Sequence, residues 1–85
     1  MKVKLLIYSN LKNNVKNYDD KNGVVIEVNE PATIREFLTK HIEHKQAVNA
    51  TNTLLLNDKL VPFQELDQKL NDGDTVKLYP PIGGG

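Results

Sequence analysis

Only one stretch of this chain has a helical signature, and it constrains the fold more than any other feature. In "PATIREFLTKHIEHK" (31–45), Thr33 is followed three residues later by Glu36. That is capping-box spacing: the hydroxyl accepts a first-turn N–H, and the carboxylate reaches back to the cap. Ile34, Phe37, Leu38, His41 and Ile42 then recur at i, i+3, i+4, i+7 and i+8. This apolar stripe predicts one amphipathic helix over roughly 34–45, with Lys45 near its negative end. A lone helix of this kind needs a sheet to cover.

The remaining apolar residues mostly alternate. "KVKLLIY" (2–8) sets Val3, Leu5 and Ile7 against Lys2, Lys4, Leu6 and Tyr8, a half-buried strand. "GVVIEV" (23–28) points Val24, Ile26 and Val28 inward, and "TVKLY" (75–79) does the same with Val76 and Leu78. "TLLLN" (53–57) reads as a short strand turned by "DK" (58–59) into "LVPF" (60–63), where Pro62 restricts the strand to an edge. Between them, "SNLKNNVKNYDDKN" (9–22) is a long polar connection and "QAVNATN" (46–52) another. In "QELDQKLNDGD" (64–74), Leu66 and Leu70 suggest one helical turn, and "NDGD" a tight turn with Gly73 at positive φ. The order is an α+β roll: a mixed sheet of four to five strands with one main helix across one face. Its first and last strands pair in parallel.

Eighty-five residues hold one core. We read residues 1–79 as that domain and 80–85 as an extended, flexible tail. Basic and acidic groups number 11 each, with +2 on residues 1–45 and −2 on 46–85. No basic stripe exists to bind phosphates, so nucleic acid is not an expected partner. The beginning of the chain reads as a strand rather than a signal peptide, and no run spans a membrane. Cytoplasm is the expected compartment.

Reactive chemistry is sparse. Cysteine is absent, which removes disulfides, thiolate metal sites and a cysteine nucleophile together. His41 and His44 read as packing and surface residues, so no metal site is expected. Asp19, Asp20, Asp72 and Asp74 read as turn formers, and Ser9, the only serine, lacks an elbow motif. There is no phosphate-binding Gly-x-x-x-x-Gly-Lys loop. No complete set of acid, base and nucleophile can be assembled, so the chain is not expected to be an enzyme on its own.

What remains is "LYPPIGGG" (78–85). Pro80 and Pro81 favour an extended stalk, and six residues beyond Tyr79 reach at most ~20 Å. Gly83, Gly84 and Gly85 have no Cβ, so they fit a channel too narrow for other residues and deliver a carboxylate inside a partner. The competing reading is a frayed end.

"VPFQELDQKLNDGDTVKLYPPIGGG" resembles the β-grasp sulfur-carrier family of ubiquitin-like proteins (MoaD/ThiS), closest to the small subunit of molybdopterin synthase. The matching pieces are Leu70, the Asp72-Gly73-Asp74 turn, Val76 and Leu78, Tyr79, Pro80-Pro81, Ile82 and the terminal glycines. "TIREFL" (33–38) is similar to the family's helix start and "LLLNDKLV" (54–61) to its hairpin. The resemblance implies a ubiquitin-like roll and a carboxylate on Gly85 that a ubiquitin-activating-type adenylyltransferase activates with ATP, the chain itself binding no cofactor. A sulfur donor then makes a thiocarboxylate, and the tail enters the large synthase subunit to give up sulfur in molybdopterin synthesis. Leu6, Tyr8, Tyr79, Pro80, Pro81, Ile82 and Gly83 would contact partners. The family usually ends Gly-Gly, so Gly84 is the acceptor if the third glycine is trimmed. A thiamin-pathway carrier, a protein modifier joined through its terminal glycine and a non-covalent interaction domain are the alternatives.

Overall fold

The helix forms on its predicted cap. A computed structural model describes residues 1–43 and 52–80. Helix α1 spans Ile34–His41. Thr33 Oγ1 accepts the Glu36 N–H at 3.1 Å, and Glu36 Oε1 accepts the Thr33 N–H at 2.9 Å. Two further first-turn donors, which no helix can satisfy internally, go to the 66–68 segment: Ile34 N–H to Gln68 O (3.1 Å) and Arg35 N–H to Leu66 O (2.9 Å).

The helix is shorter than its periodicity predicts. Ile42 takes extended backbone (φ −110°, ψ 109°), and the Glu43 N–H donates to Asn14 O at 2.9 Å. The polar loop therefore supplies the carbonyl that another helical turn would have supplied. Ile42 is still buried with Ile34, Phe37 and Leu38, so the stripe outlasts the helix. His44 and Lys45 lie outside the described residues.

Five strands form the sheet: β1 (Lys2–Ile7), β2 (Val24–Glu27), β3 (Thr53–Leu56), β4 (Lys59–Val61) and β5 (Thr75–Tyr79). Their spatial order is β2-β1-β5-β3-β4, with β1 and β5 parallel and every other pair antiparallel. Alternation sends Val3, Leu5, Ile7, Leu54, Val61, Val76 and Leu78 to the face covered by α1. Each fully buried side chain of this size contributes about 1.5–3 kcal/mol relative to exposure. None of the described helices is long and apolar enough to cross a membrane.

Three local expectations change. The 9–22 connection contains a short 3₁₀ helix at Asn10–Asn14, with Ser9 Oγ accepting the Leu11 N–H. Beyond it, the Tyr18 hydroxyl accepts the Ile7 N–H (2.7 Å) and donates to Ile7 O (3.1 Å). A side chain thus stands in for a strand where β2 no longer reaches β1, and Leu11, Val15 and Tyr18 pack on the core. The β3–β4 turn is centred on Asn57–Asp58 (φ 51° and 68°) rather than on Asp58–Lys59. Two consecutive left-handed residues are the mark of the two-residue turn that matches strand twist. Leu66 and Leu70 are both buried, but the helical turn near them is a 3₁₀ turn at Phe63–Glu65, and the Leu70 N–H donates to Ala32 O.

Asp74 ties these parts together. It is the one buried charged side chain among the described residues. Its carboxylate accepts the Asn71 N–H (2.7 Å) and Asn57 Nδ2–H (2.8 Å), while its carbonyl accepts the Lys4 N–H (2.9 Å). The loop before β5, the β3–β4 turn and β1 are thereby joined at one residue. Removing its carboxylate in Asp74→Ala strands two partly buried donors. The expected loss is about 2–3 kcal/mol, read from urea unfolding.

Two glycines separate strain from crowding. Gly73 (φ 87°) faces open space, whereas a Cβ on Gly23 (φ 69°) would lie 2.2 Å from Leu5 O. Gly73→Ala should cost about 1 kcal/mol, and Gly23→Ala about 3 kcal/mol or more, measured as the shift in urea midpoint.

The His41 ring tilts against Phe37 at 5.2 Å. Burial, and secondarily Lys40, lower its pKa below the usual 6.5. The unfolded chain therefore binds this proton more readily. The stability due to the neutral ring is complete above about 6.5 and is lost as pH falls from there through the folded pKa. Between pH 7.5 and 5, urea midpoints should fall more for the unmodified protein than for His41→Gln.

Candidate functional site: the face beside the C-terminal stalk

The parallel β1–β5 pair delivers the chain to its last described residues. The Tyr8 N–H donates to Leu78 O at 2.8 Å, extending the ladder one residue beyond β1. Tyr8 and Tyr79 are thus neighbours on the face away from α1. Their rings stack with centroids 4.7 Å apart and planes 18° apart. Tyr8 remains 50% exposed, Tyr79 and Leu6 are half-buried, and Pro80 is exposed. The structure therefore places Leu6, Tyr8, Tyr79 and Pro80 around the base of the tail. Pro81, Ile82, Gly83, Gly84 and Gly85 lie outside the described residues.

The register adds two residues that the sequence analysis missed. Leu6 pairs with Lys77, Lys77 with Leu55, and Leu55 with Leu60, forming one row across four strands. Leu60 is 67% exposed. Thr53 pairs with Tyr79 in the adjoining row. The helix-free face thus carries an apolar strip from the tyrosine pair across to the β4 edge. The signal was present in "LLLNDKLV": a two-residue turn at Asn57–Asp58 forces Leu55 opposite Leu60 and away from buried Leu54.

Lys77 sits within this strip. Its Nζ donates to Asp58 Oδ1 at 2.7 Å. That hydrogen bond, and then the charge of Asp58, raise the lysine pKa above its ordinary value. The ammonium is held aside by a turn residue rather than left pointing into the middle of the strip. The arrangement suits docking. No group of three His, Asp or Glu side chains among the described residues converges to hold a metal.

A model of the ThiS family matches residues 11–85. Solved structures of the same fold include the complex of subunits 1 and 2 of molybdopterin-converting factor from Helicobacter pylori, with 24% identity, full coverage of both chains and a TM-score of 0.61. SAMP1 from Haloferax volcanii aligns over all of both chains at 18% identity and a TM-score of 0.67. A protein assigned as molybdopterin-converting factor subunit 1 from Pyrococcus furiosus matches at 23% identity and a TM-score of 0.68, over 96% of this chain and 99% of that one. These neighbours share the five-stranded ubiquitin-like β-grasp roll. No curated protein sequence matches the chain.

Exposed Leu60 is expected to contribute little to folding, and the stacked tyrosine pair only modestly. Leu60→Ser should alter unfolding free energy by no more than about 0.5 kcal/mol. Tyr8→Ala should cost about 1 kcal/mol from the lost stacking. Urea titration of both variants measures the difference.

Proposed function

This chain belongs to the ThiS family, and on that premise we propose that it is a ubiquitin-like sulfur carrier working through its C-terminal carboxylate. A ubiquitin-activating-type adenylyltransferase docks on the strip of Leu6, Tyr8, Tyr79, Leu55 and Leu60. A Gly85 carboxylate oxygen attacks the α-phosphorus of ATP, and pyrophosphate leaves. Hydrosulfide supplied by a donor then attacks the acyl carbon, and AMP departs with that oxygen to leave a thiocarboxylate. Activation is needed because a carboxylate oxygen leaves poorly and AMP leaves well. The tail then enters the large subunit of a molybdopterin synthase, the thiocarboxylate sulfur bonds to a carbon of a pterin precursor, and water cleaves the acyl–sulfur bond to restore the carboxylate. Pro80, Pro81 and Ile82 form the stalk, and Gly83 and Gly84 the slim leader. Gly84 becomes the acceptor if the final glycine is trimmed. The chain performs no catalysis itself and works in the cytoplasm.

The observation that carries this reading is a family match running through Gly85 on a chain without cysteine. The terminal carboxylate is then the group left to carry sulfur. The molybdopterin assignment draws support from neighbours named as subunit 1 of molybdopterin-converting factor, one of them bound to subunit 2.

Intact mass spectrometry after incubation with ATP, a sulfide source and the cognate activating enzyme provides the test. The expected product has one C-terminal oxygen replaced by sulfur. Isopeptide conjugates to lysines without that product would establish a protein modifier instead, and no adduct of either kind would remove the tail from function. Leu60→Glu and Tyr8→Glu should slow adenylation at least about tenfold while the far-UV spectrum stays unchanged, as expected when one central contact of an interface is lost.

A further inference from the structure

The two edges of the sheet are treated differently. At one end, β4 is three residues long, carries Lys59 and stops at Pro62, devices that discourage another strand from adding. At the other end, β2 reads Val-Val-Ile-Glu, without proline or lysine and with a single charge, Glu27, at its end.

The hydrogen-bond pattern shows what β2 offers. Met1 and Val28 exchange both backbone bonds (2.9 and 2.7 Å), so in an antiparallel ladder Ile26 and Val24 are the next residues bonded to β1. Gly23, Val25 and Glu27 then turn their N–H and C=O groups outward. Gly23 is already paired there, exchanging bonds of 2.8 and 3.2 Å with Asp19. Val25 and Glu27 have no such partner among the described residues. An N–H and a C=O on each of two alternate residues match an extended chain; a helix, whose own backbone bonds are internal, cannot supply the complement.

Beneath this edge lies a cleft of ≈ 370 Å³ between β2 and α1. Val15, Val24 and Ile26 give it an apolar floor, and His41 and Lys40 close the α1 side. A second, smaller cleft on the other side of Lys40 and His41 is lined by Phe37 and Pro31. On the opposite face Val25 stands 59% exposed. An added strand would put alternate side chains into the cleft and over Val25, as the two-residue period of a strand requires. Lys16 and Lys40 stand at the cleft, and neither forms an ion pair among the described residues. Among the described residues, Glu43 is the one acidic side chain lining it.

We propose that the free edge of β2 and the cleft beneath it bind an extended, alternately apolar segment of a partner protein that carries acidic residues. Binding is by strand addition, with Val25 and Glu27 supplying the backbone bonds and Lys16 and Lys40 selecting the acidic flank. This surface lies at the sheet edge two strands away from β5, from which the tail departs. A partner held there leaves the stacked tyrosines and the stalk free, and the inference does not depend on what the tail does.

The probe is a fluorescein-labelled peptide, Val-Thr-Val-Ile-Val-Asp-Glu-Asp, titrated into the full chain with amide hydrogen exchange followed by NMR. In the free chain the Val25 and Glu27 amides should exchange rapidly; with peptide they should become protected, with shifts confined to β2, Val15–Asn17 and Lys40–Glu43. The Lys16→Glu/Lys40→Glu pair should weaken binding at least about tenfold, as two partly desolvated charge contacts reverse. A peptide N-methylated at alternate residues should not bind. No saturable binding up to about 1 mM peptide would overturn the proposal, as would shifts centred on Tyr8 and Tyr79. So would Val25 and Glu27 amides already protected in a chain that sediments as a dimer, because a second copy would then be the occupant.

Discussion

The parallel pairing of β1 with β5 is the constraint on which the rest depends. It brings together residues about seventy positions apart, so no local turn can set its register. The register is set from outside the ladder instead. Lys2 N–H donates to Asp72 Oδ1, Gly73 N–H to Lys2 O, and Lys4 N–H to Asp74 O, so the tight turn before β5 clips onto the start of β1. At the far end, the Tyr8 N–H closes on Leu78 O and the Tyr8 and Tyr79 rings stack. Both ends of the central pair are pinned, and β3 then pairs antiparallel with β5 on its other side.

That arrangement divides the molecule into two faces with separate tasks. The inner face is closed by α1 and holds nearly all the fully buried side chains, from Val3 to Leu78. Among the described residues no element covers the outer face, and its apolar strip gathers beside β5. In a domain this small, few large apolar side chains can be spared from the core. Leaving Leu60 and Tyr8 exposed is consistent with their being covered by another protein.

Much of this could be read from the residues. The capping box at Thr33 and Glu36, the alternation in 2–8 and 75–79 and the Asp-Gly-Asp turn are local signals with local causes, and the structure reproduces them. What escaped depends on tertiary contacts. Ile42 fits a helical stripe, and only the bond from Glu43 to Asn14 shows why the helix stops before it. Tyr18 sits in a polar run, and its role as a strand substitute needs Ile7 to be nearby in space. The pairing of Leu55 with Leu60 follows from a turn one residue earlier than composition suggested. Asp74 looked like one of several turn aspartates, and its burial beside Asn57 and Asn71 is visible only once three segments meet.

The position of β5 also has a mechanical meaning. It is hydrogen-bonded on both sides, parallel to β1 and antiparallel to β3. A pull applied beyond Tyr79 runs along the strand axis and loads those two ladders in shear, many bonds at once, rather than peeling them one by one. Tension on the chain beyond Tyr79 is therefore shared by both ladders while the body of the domain stays folded.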